Sequence, residues 1–194
     1  MERRRFLLSA AGSAFAPARV MGANDKVNVA IVGFGGRGRD LLNAFSAQPR
    51  CQVAAMCDID QSRLEQGAQL ARKAGSANPK SFQDIRRVLD DKDIDAVAIA
   101  TCNHWHALAT IWACQAGKDV YVEKPASHNV WEGRRMVEAA RKYGRAVQVG
   151  MQGRSITHKR QAIELLREGV IGPVYMAKGL CYKRRLSIGR KPSA

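Results

Sequence analysis

The sequence predicts an α/β fold, a doubly wound parallel sheet with helices on both faces, and three observations carry that prediction. Apolar runs of strand length alternate with helical patterns from Val27 onward. The run Ala96-Val97-Ala98-Ile99-Ala100 is apolar at every position, so both faces of that strand are to be covered. The first run, Val27 to Val32, passes directly into Gly33-Phe34-Gly35-Gly36-Arg37-Gly38 and then into a helical pattern.

In chain order, strands are expected over 27–32, 52–57, 95–101, 119–122 and 146–149, with helices near 37–47, 61–73, 83–90, 104–116 and 130–143. The first helix opens on the glycine turn. Asp60 or Ser62 can cap the second. A further strand belongs at 79–82 by topology, but Pro79-Lys80-Ser81-Phe82 is weakly strand-like, so it is expected to be very short. Leu108, Ile111 and Trp112, and then Val130, Val137 and Ala140, recur at helical spacing on one face of each later helix. Gly75, Gly117, Gly144 and Gly169 are placed as helix stops.

After Gly150 the pattern changes. Residues 155–168 read as one more helix, and Gly172-Pro173 starts an alternating run from Val174 to Tyr182 that reads as a strand in need of partners. The organisation expected is therefore a separate leading segment at 1–23, an α/β domain at 24–150, and at 151–194 the truncated start of a second, α+β domain. Truncation or a frameshift would each produce that ending.

Composition sets outer bounds. With 46% hydrophobic and 25% charged residues, the chain can bury an ordinary core. No apolar run approaches the roughly 20 residues of a membrane helix. The net charge of +15 is concentrated late: residues 141–194 hold 13 of the 32 Lys+Arg and only 2 of the 17 Asp+Glu. Neither interleaved aromatics nor a recognisable nucleic-acid module accompanies that basicity, so no nucleic-acid partner is expected. The five cysteines, Cys51, Cys57, Cys102, Cys114 and Cys181, have no C-x-x-C spacing and are expected to be buried free thiols, with no metal site.

Arg3-Arg4-Arg5-Phe6-Leu7-Leu8, followed by a short small-residue run to Ala16, resembles a twin-arginine export signal. It predicts an exported, periplasmic or extracytoplasmic protein, and a cytoplasmic one if the signal is not used. Cleavage fits either the Ala16/Ala18 pair or the position after Ala23. An ordinary basic chain start is the alternative.

Three groups carry chemistry. In the turn, Gly33 permits a tight reversal, Gly35 lets the backbone approach a pyrophosphate, and Gly38 lets helix pack on strand. Backbone N–H groups of Gly36 and Arg37 then face the negative charge. Asp58 closes the strand Val53 to Cys57 and lies about twenty residues past Gly38, where a carboxylate accepts ribose hydroxyls and repels a 2′-phosphate. That favours NAD over NADP, although Arg37 and Arg63 are nearby cations able to tolerate a phosphate. Asp58 could instead cap the following helix. Glu123-Lys124-Pro125 closes the strand at 119–122, at a carboxyl end that faces the ligand crevice of such a sheet. A lysine there can bind or protonate a substrate oxygen, and Glu123 either meets the nicotinamide ribose or orients Lys124.

The set Gly33 to Gly38, Asp58, Ala100-Thr101-Cys102-Asn103-His104-Trp105-His106 and Gly117 to Pro125 resembles the Gfo/Idh/MocA oxidoreductases over roughly residues 26 to 190. The resemblance implies a Rossmann-like dinucleotide domain, Lys124 as the catalytic or substrate-binding lysine, and Thr101, Asn103 and His106 beside the nicotinamide. Cys102 stands where the family has proline. The family's second domain supplies a catalytic histidine motif that this chain lacks. The resemblance further implies a sugar or polyol substrate, hydride transfer to or from NAD, and a homo-oligomeric full-length protein. The 194-residue chain is expected to bind cofactor and turn over little substrate. Two rivals accompany this reading: a glycoside hydrolase that retains NAD on the same scaffold, and a non-catalytic fragment that binds nucleotide or polyanion through Lys183-Arg184-Arg185 and Arg190-Lys191.

Overall fold

The computed structural model describes residues 26–75 and 78–182. The signal-like segment at 1–23 and the basic tail with Lys183-Arg184-Arg185 and Ser187 to Lys191 lie outside the described residues. Six strands form one parallel sheet: β1 (Val27–Val32), β2 (Cys51–Cys57), β3 (Lys80–Phe82), β4 (Ala96–Ile99), β5 (Asp119–Glu123) and β6 (Val147–Gly150). Their order is β3-β2-β1-β4-β5-β6. The first strand of the sheet therefore lies at its centre, paired with β2 on one side and β4 on the other.

Five helices connect or follow these strands: α1 (Gly36–Ser46), α2 (Gln61–Lys73), α3 (Ile85–Asp90), α4 (His106–Gln115) and α5 (Val130–Tyr143). Alternation along each strand divides the core into two layers. Val29, Ile31, Val53 and Met56 pack with Leu41, Leu42 and Leu64 of α1 and α2. On the other face, Ala30, Val32, Val97, Ile99, Val120 and Val122 meet Val88 of α3, Ala109 and Ala113 of α4, and Met136 of α5. Both faces are covered, which is why the strands read as continuous apolar runs.

The helix starts follow side-chain chemistry. Asp60 accepts from Ser62 N, Asp84 from Arg86 N and Asn129 from Glu132 N, each covering an amide with no intrahelical partner. Glu132 in turn accepts from His128 N at 2.9 Å, covering the amide just before the cap residue. Gly144 ends α5 in the left-handed region, and the other expected stops, Gly75, Gly117 and Gly169, also have positive φ.

At the amino ends of the strands, polar side chains staple the loops. Lys118, buried, donates to Asp91 O and Ile94 O at 2.7 Å each. Asp95 accepts from Asn28 N at 2.8 Å, and Asp119 accepts from Ala146 N at 2.9 Å.

β3 has three residues, as short as expected. The strand expected over 95–101 ends earlier, at Ile99, because the chain turns away where β1 also leaves the sheet. Contacts divide the chain after Met151. The second unit contains a 3₁₀ turn (Gln152–Ser155) and α6 (Thr157–Arg167). The strand expected over 174–182 does not form: these residues are exposed and outside any ladder. Alternation alone cannot make a strand, since its N–H and C=O groups need a neighbouring edge. The expectation of buried thiols holds for Cys57 and Cys114 but not for Cys102 and Cys181, which lie exposed in irregular segments. Among the described residues no helix is long and apolar enough to cross a membrane.

Candidate cofactor site at the carboxyl ends of the strands

β1 leaves the sheet between β2 and β4, the point where strand order reverses and a crevice opens. Gly33 has φ +89°, and a Cβ there would lie 2.7 Å from the Ala100 backbone, so only glycine lets the exits of β1 and β4 pass this closely. A side chain at Gly38 would run into Gly33 O, so α1 packs directly on the turn. Phe34 joins the site through its main chain, for its ring is buried in the layer under α1 and α2.

Among the described residues no side chain caps the start of α1, its first turn holds no acidic residue, and nothing lies within 4 Å of the position a Gly36 Cβ would take. Open amides on an uncrowded helix start are what a pyrophosphate requires, so these residues fit a dinucleotide.

Asp58 is buried at the end of β2. It accepts from Phe34 N at 2.6 Å and from Asp60 N at 3.0 Å, which ties the glycine turn to the neighbouring strand. The cap of α2 is Asp60, so Asp58 is not the capping residue. A carboxylate has about four lone-pair sites, which leaves acceptor capacity for ribose hydroxyls. Arg63, half exposed, lies 3.8 Å from Asp58 and 3.5 Å from Asp60. Next to this carboxylate, burial and then the charges of Asp58 and Asp84 push the Cys57 thiol up to about 12, so it is no nucleophile.

On the other side of β1 and β4, β5 ends at Glu123, followed by exposed Lys124 and a cis Lys124–Pro125 bond. Glu123 is buried and accepts from Arg37 Nε at 2.7 Å and from the Tyr121 hydroxyl at 3.3 Å. Burial alone would lower the Arg37 pKa, but the hydrogen bond and charge of Glu123 outweigh it and raise it. Burial, with the Glu123 charge, raises the Tyr121 phenol. Arg37 also lies 3.5 Å from Asp40. It is thus not the free cation that the sequence offered for a phosphate. Neither Tyr121 nor the coupling of Arg37 to Glu123 is legible in the sequence; the one signal is a hydroxyl between the two valines of β5.

Thr101 is half-buried at the exit of β4, and Asn103 is exposed in the 3₁₀ turn Asn103–Trp105 that leads into α4. His106 is buried, with Nδ1 2.6 Å from Pro125 O and Nε2 3.1 Å from Thr101 O. The ring bridges the two loops instead of presenting a free nitrogen to a ligand. Whichever nitrogen carries the proton donates to its carbonyl. His104 lies against Trp105, ring centroids 6.5 Å apart. Among the described residues no three His, Cys, Asp or Glu side chains converge on a possible metal position.

The comparisons with known proteins agree with this geometry. Residues 27–151 match an oxidoreductase family with an NAD-binding Rossmann fold. The chain is 29% identical over 162 residues to a glycosyl hydrolase family 109 protein of Saccharopolyspora erythraea, covering 81% of this chain and 35% of that one. It is 32% identical over 154 residues to the inositol 2-dehydrogenase of Salmonella typhimurium, covering 78% and 45%. An NAD-binding protein from Listeria innocua superposes with a TM-score of 0.69 at 28% identity, covering 76% and 40%. The chain spans less than half the length of these proteins.

Proposed function

The chain belongs to the Gfo/Idh/MocA oxidoreductase family through its NAD(P)-binding Rossmann domain, and on that premise we propose that the protein transfers hydride between NAD and a sugar or polyol carbon. The observation that carries this reading is the pairing, across one crevice, of the Asp58-tied glycine turn with Lys124 at the end of β5. The bound nicotinamide cofactor supplies or accepts the hydride. Backbone amides at the start of α1 hold its pyrophosphate. Asp58 accepts the adenosine ribose hydroxyls and repels a 2′-phosphate, which favours NAD. Lys124 holds the substrate oxygen through Nζ and passes a proton to it or takes one from it as the carbon changes oxidation state. Thr101 and Asn103 border the nicotinamide side of the crevice. The start at Arg3-Arg4-Arg5-Phe6-Leu7 supports export by a twin-arginine route, and the full-length protein is taken to be a homo-oligomer.

A second reading is favoured by the glycosyl hydrolase family 109 relative: a retained NAD used for glycoside cleavage without net oxidation. Release of aglycone with no accumulation of NADH separates the two. The first test is titration of the chain with NADH and NADPH, followed by tryptophan fluorescence. Saturable binding with NADH preferred is expected. Preference for NADPH overturns the assigned role of Asp58, and failure of both removes the oxidoreductase reading.

A further inference from the structure

Arg37 is the second residue of α1, on the helix turn whose amides face the crevice, yet its guanidinium turns away to bind a carboxylate 86 residues later in the chain. That carboxylate, Glu123, is 4% exposed and directly precedes Lys124, whose backbone N donates to Glu123 Oε2 at 3.3 Å. The third wall is β6. Gly150 pairs with Glu123 in the ladder, and a Cβ on Gly150 would run into the Tyr121 hydroxyl and lie 2.9 Å from Glu123 Oε1. Three segments, the start of α1, the end of β5 and the end of β6, thus close on one buried carboxylate.

We propose that Arg37 is a positioning residue for Lys124, acting through Glu123 to lock the end of β5 to the pyrophosphate turn. The inference rests on the cofactor reading above and deepens it. A buried carboxylate stays ionised and in place only with a cation and hydrogen bonds around it. Arg37 is the cation, and the Tyr121 hydroxyl adds a further bond. Asp40 on α1 and Lys124 itself also lie beside this group, and β6 contributes Gly150. A guanidinium already shared by Glu123 and Asp40 contributes little net charge to a phosphate, so its effect on the ligand passes through the position of the strand end. Ordering of the turn by a ligand is then transmitted to Lys124.

The test uses the full chain with ADP, which carries the pyrophosphate but no nicotinamide and so cannot cover Lys124 as a whole dinucleotide would. Binding of ADP and NADH is measured by calorimetry, and the rate of reductive methylation of Lys124 is read by peptide mass with and without saturating ADP. In the unsubstituted chain ADP is expected to change that rate by roughly fivefold, a typical coupling between sites. Arg37→Met alone strands a buried carboxylate and can fail to fold, so the decisive variant is Arg37→Met with Glu123→Gln, which removes both charges. It is expected to bind ADP and lose the rate change, whereas Arg37→Lys keeps part of it. A rate change preserved in the double variant overturns the inference, as does ADP binding with no effect on Lys124 in the unsubstituted chain. If neither ADP nor NADH binds, the cofactor reading falls and takes this inference with it.

Discussion

At the amino ends of the strands, side chains close off the backbone: Lys118 covers two carbonyls, Asp95 covers the Asn28 amide and Asp119 the Ala146 amide. At the carboxyl ends the arrangement is reversed. Glycines leave the amides at the start of α1 uncapped, and charged side chains there pair with one another or tie one loop to the next. Both ends belong to the same six strands, so the difference is not one of architecture. Backbone polarity satisfied from within gives a structural end; backbone polarity left open beside buried charge gives a binding end.

Substitutions that act on one end alone test that contrast. The largest effect is expected for Gly33→Val, where a β-branched residue meets both a left-handed φ and the Ala100 backbone at 2.7 Å. Roughly 1–3 kcal/mol of backbone strain is a lower bound, and fluorescence titration should find no NADH binding even where circular dichroism shows residual fold. Next is Lys118→Met, which leaves the Ile94 carbonyl without the Lys118 donor and the Asp91 carbonyl with only the 3.4 Å bond from Ile94 N. It should lower unfolding free energy in urea by about 1–3 kcal/mol while leaving the NADH dissociation constant unchanged; a weakened affinity would join the two ends that we separate. Asp58→Asn should weaken NADH binding about tenfold, or ~1.4 kcal/mol, and narrow the gap to NADPH. An unchanged NADH/NADPH ratio would assign Asp58 to the turn alone.

The smallest effect belongs to Asp84, the half-exposed cap of α3. Its hydrogen bonds with Arg86, side chain first and backbone second, lower its pKa to about 2. Because the folded value lies below the ordinary carboxylate range, this contribution is complete above that range and is lost as pH falls toward 2. Asp84→Ala should therefore reduce Tm slightly near neutrality, and the difference from the unsubstituted chain should shrink in acid. A gap that widens on acidification would contradict the assignment.

Legibility from the sequence divides along the same lines as the chemistry. β1 and the glycine turn were readable because the signals are local: an apolar run, then glycines at the positions where backbone must turn and approach. The cap of α2 was undecided between Asp60 and Ser62, and Asp58 shared that ambiguity, because several oxygens lay within reach of the same amides. The bond of Arg37 to Glu123 spans 86 residues and leaves no periodic trace, so only the fold could show it. His106 was placed at the crevice by resemblance, but its ring is held between Thr101 and Pro125, which no spacing predicts. The run 174–182 fails for the opposite reason: its alternation is plain, and the pairing edge that would make it a strand is not among the described residues.

The central place of β1 bears on how this protein is made. Among the described residues the first strand is the seam of the finished sheet, with β2 and β3 on one side and β4, β5 and β6 on the other. The half comprising β1, β2 and β3 can pair once Phe82 has left the ribosome, with Asp58 already against the turn. The crevice then has a single wall, and it becomes a cleft only when β4 is synthesised and docks on the free side of β1. Nucleotide capture by nascent chains of increasing length would time that event, making the ligand a reporter of the moment when the second half of the sheet joins the first.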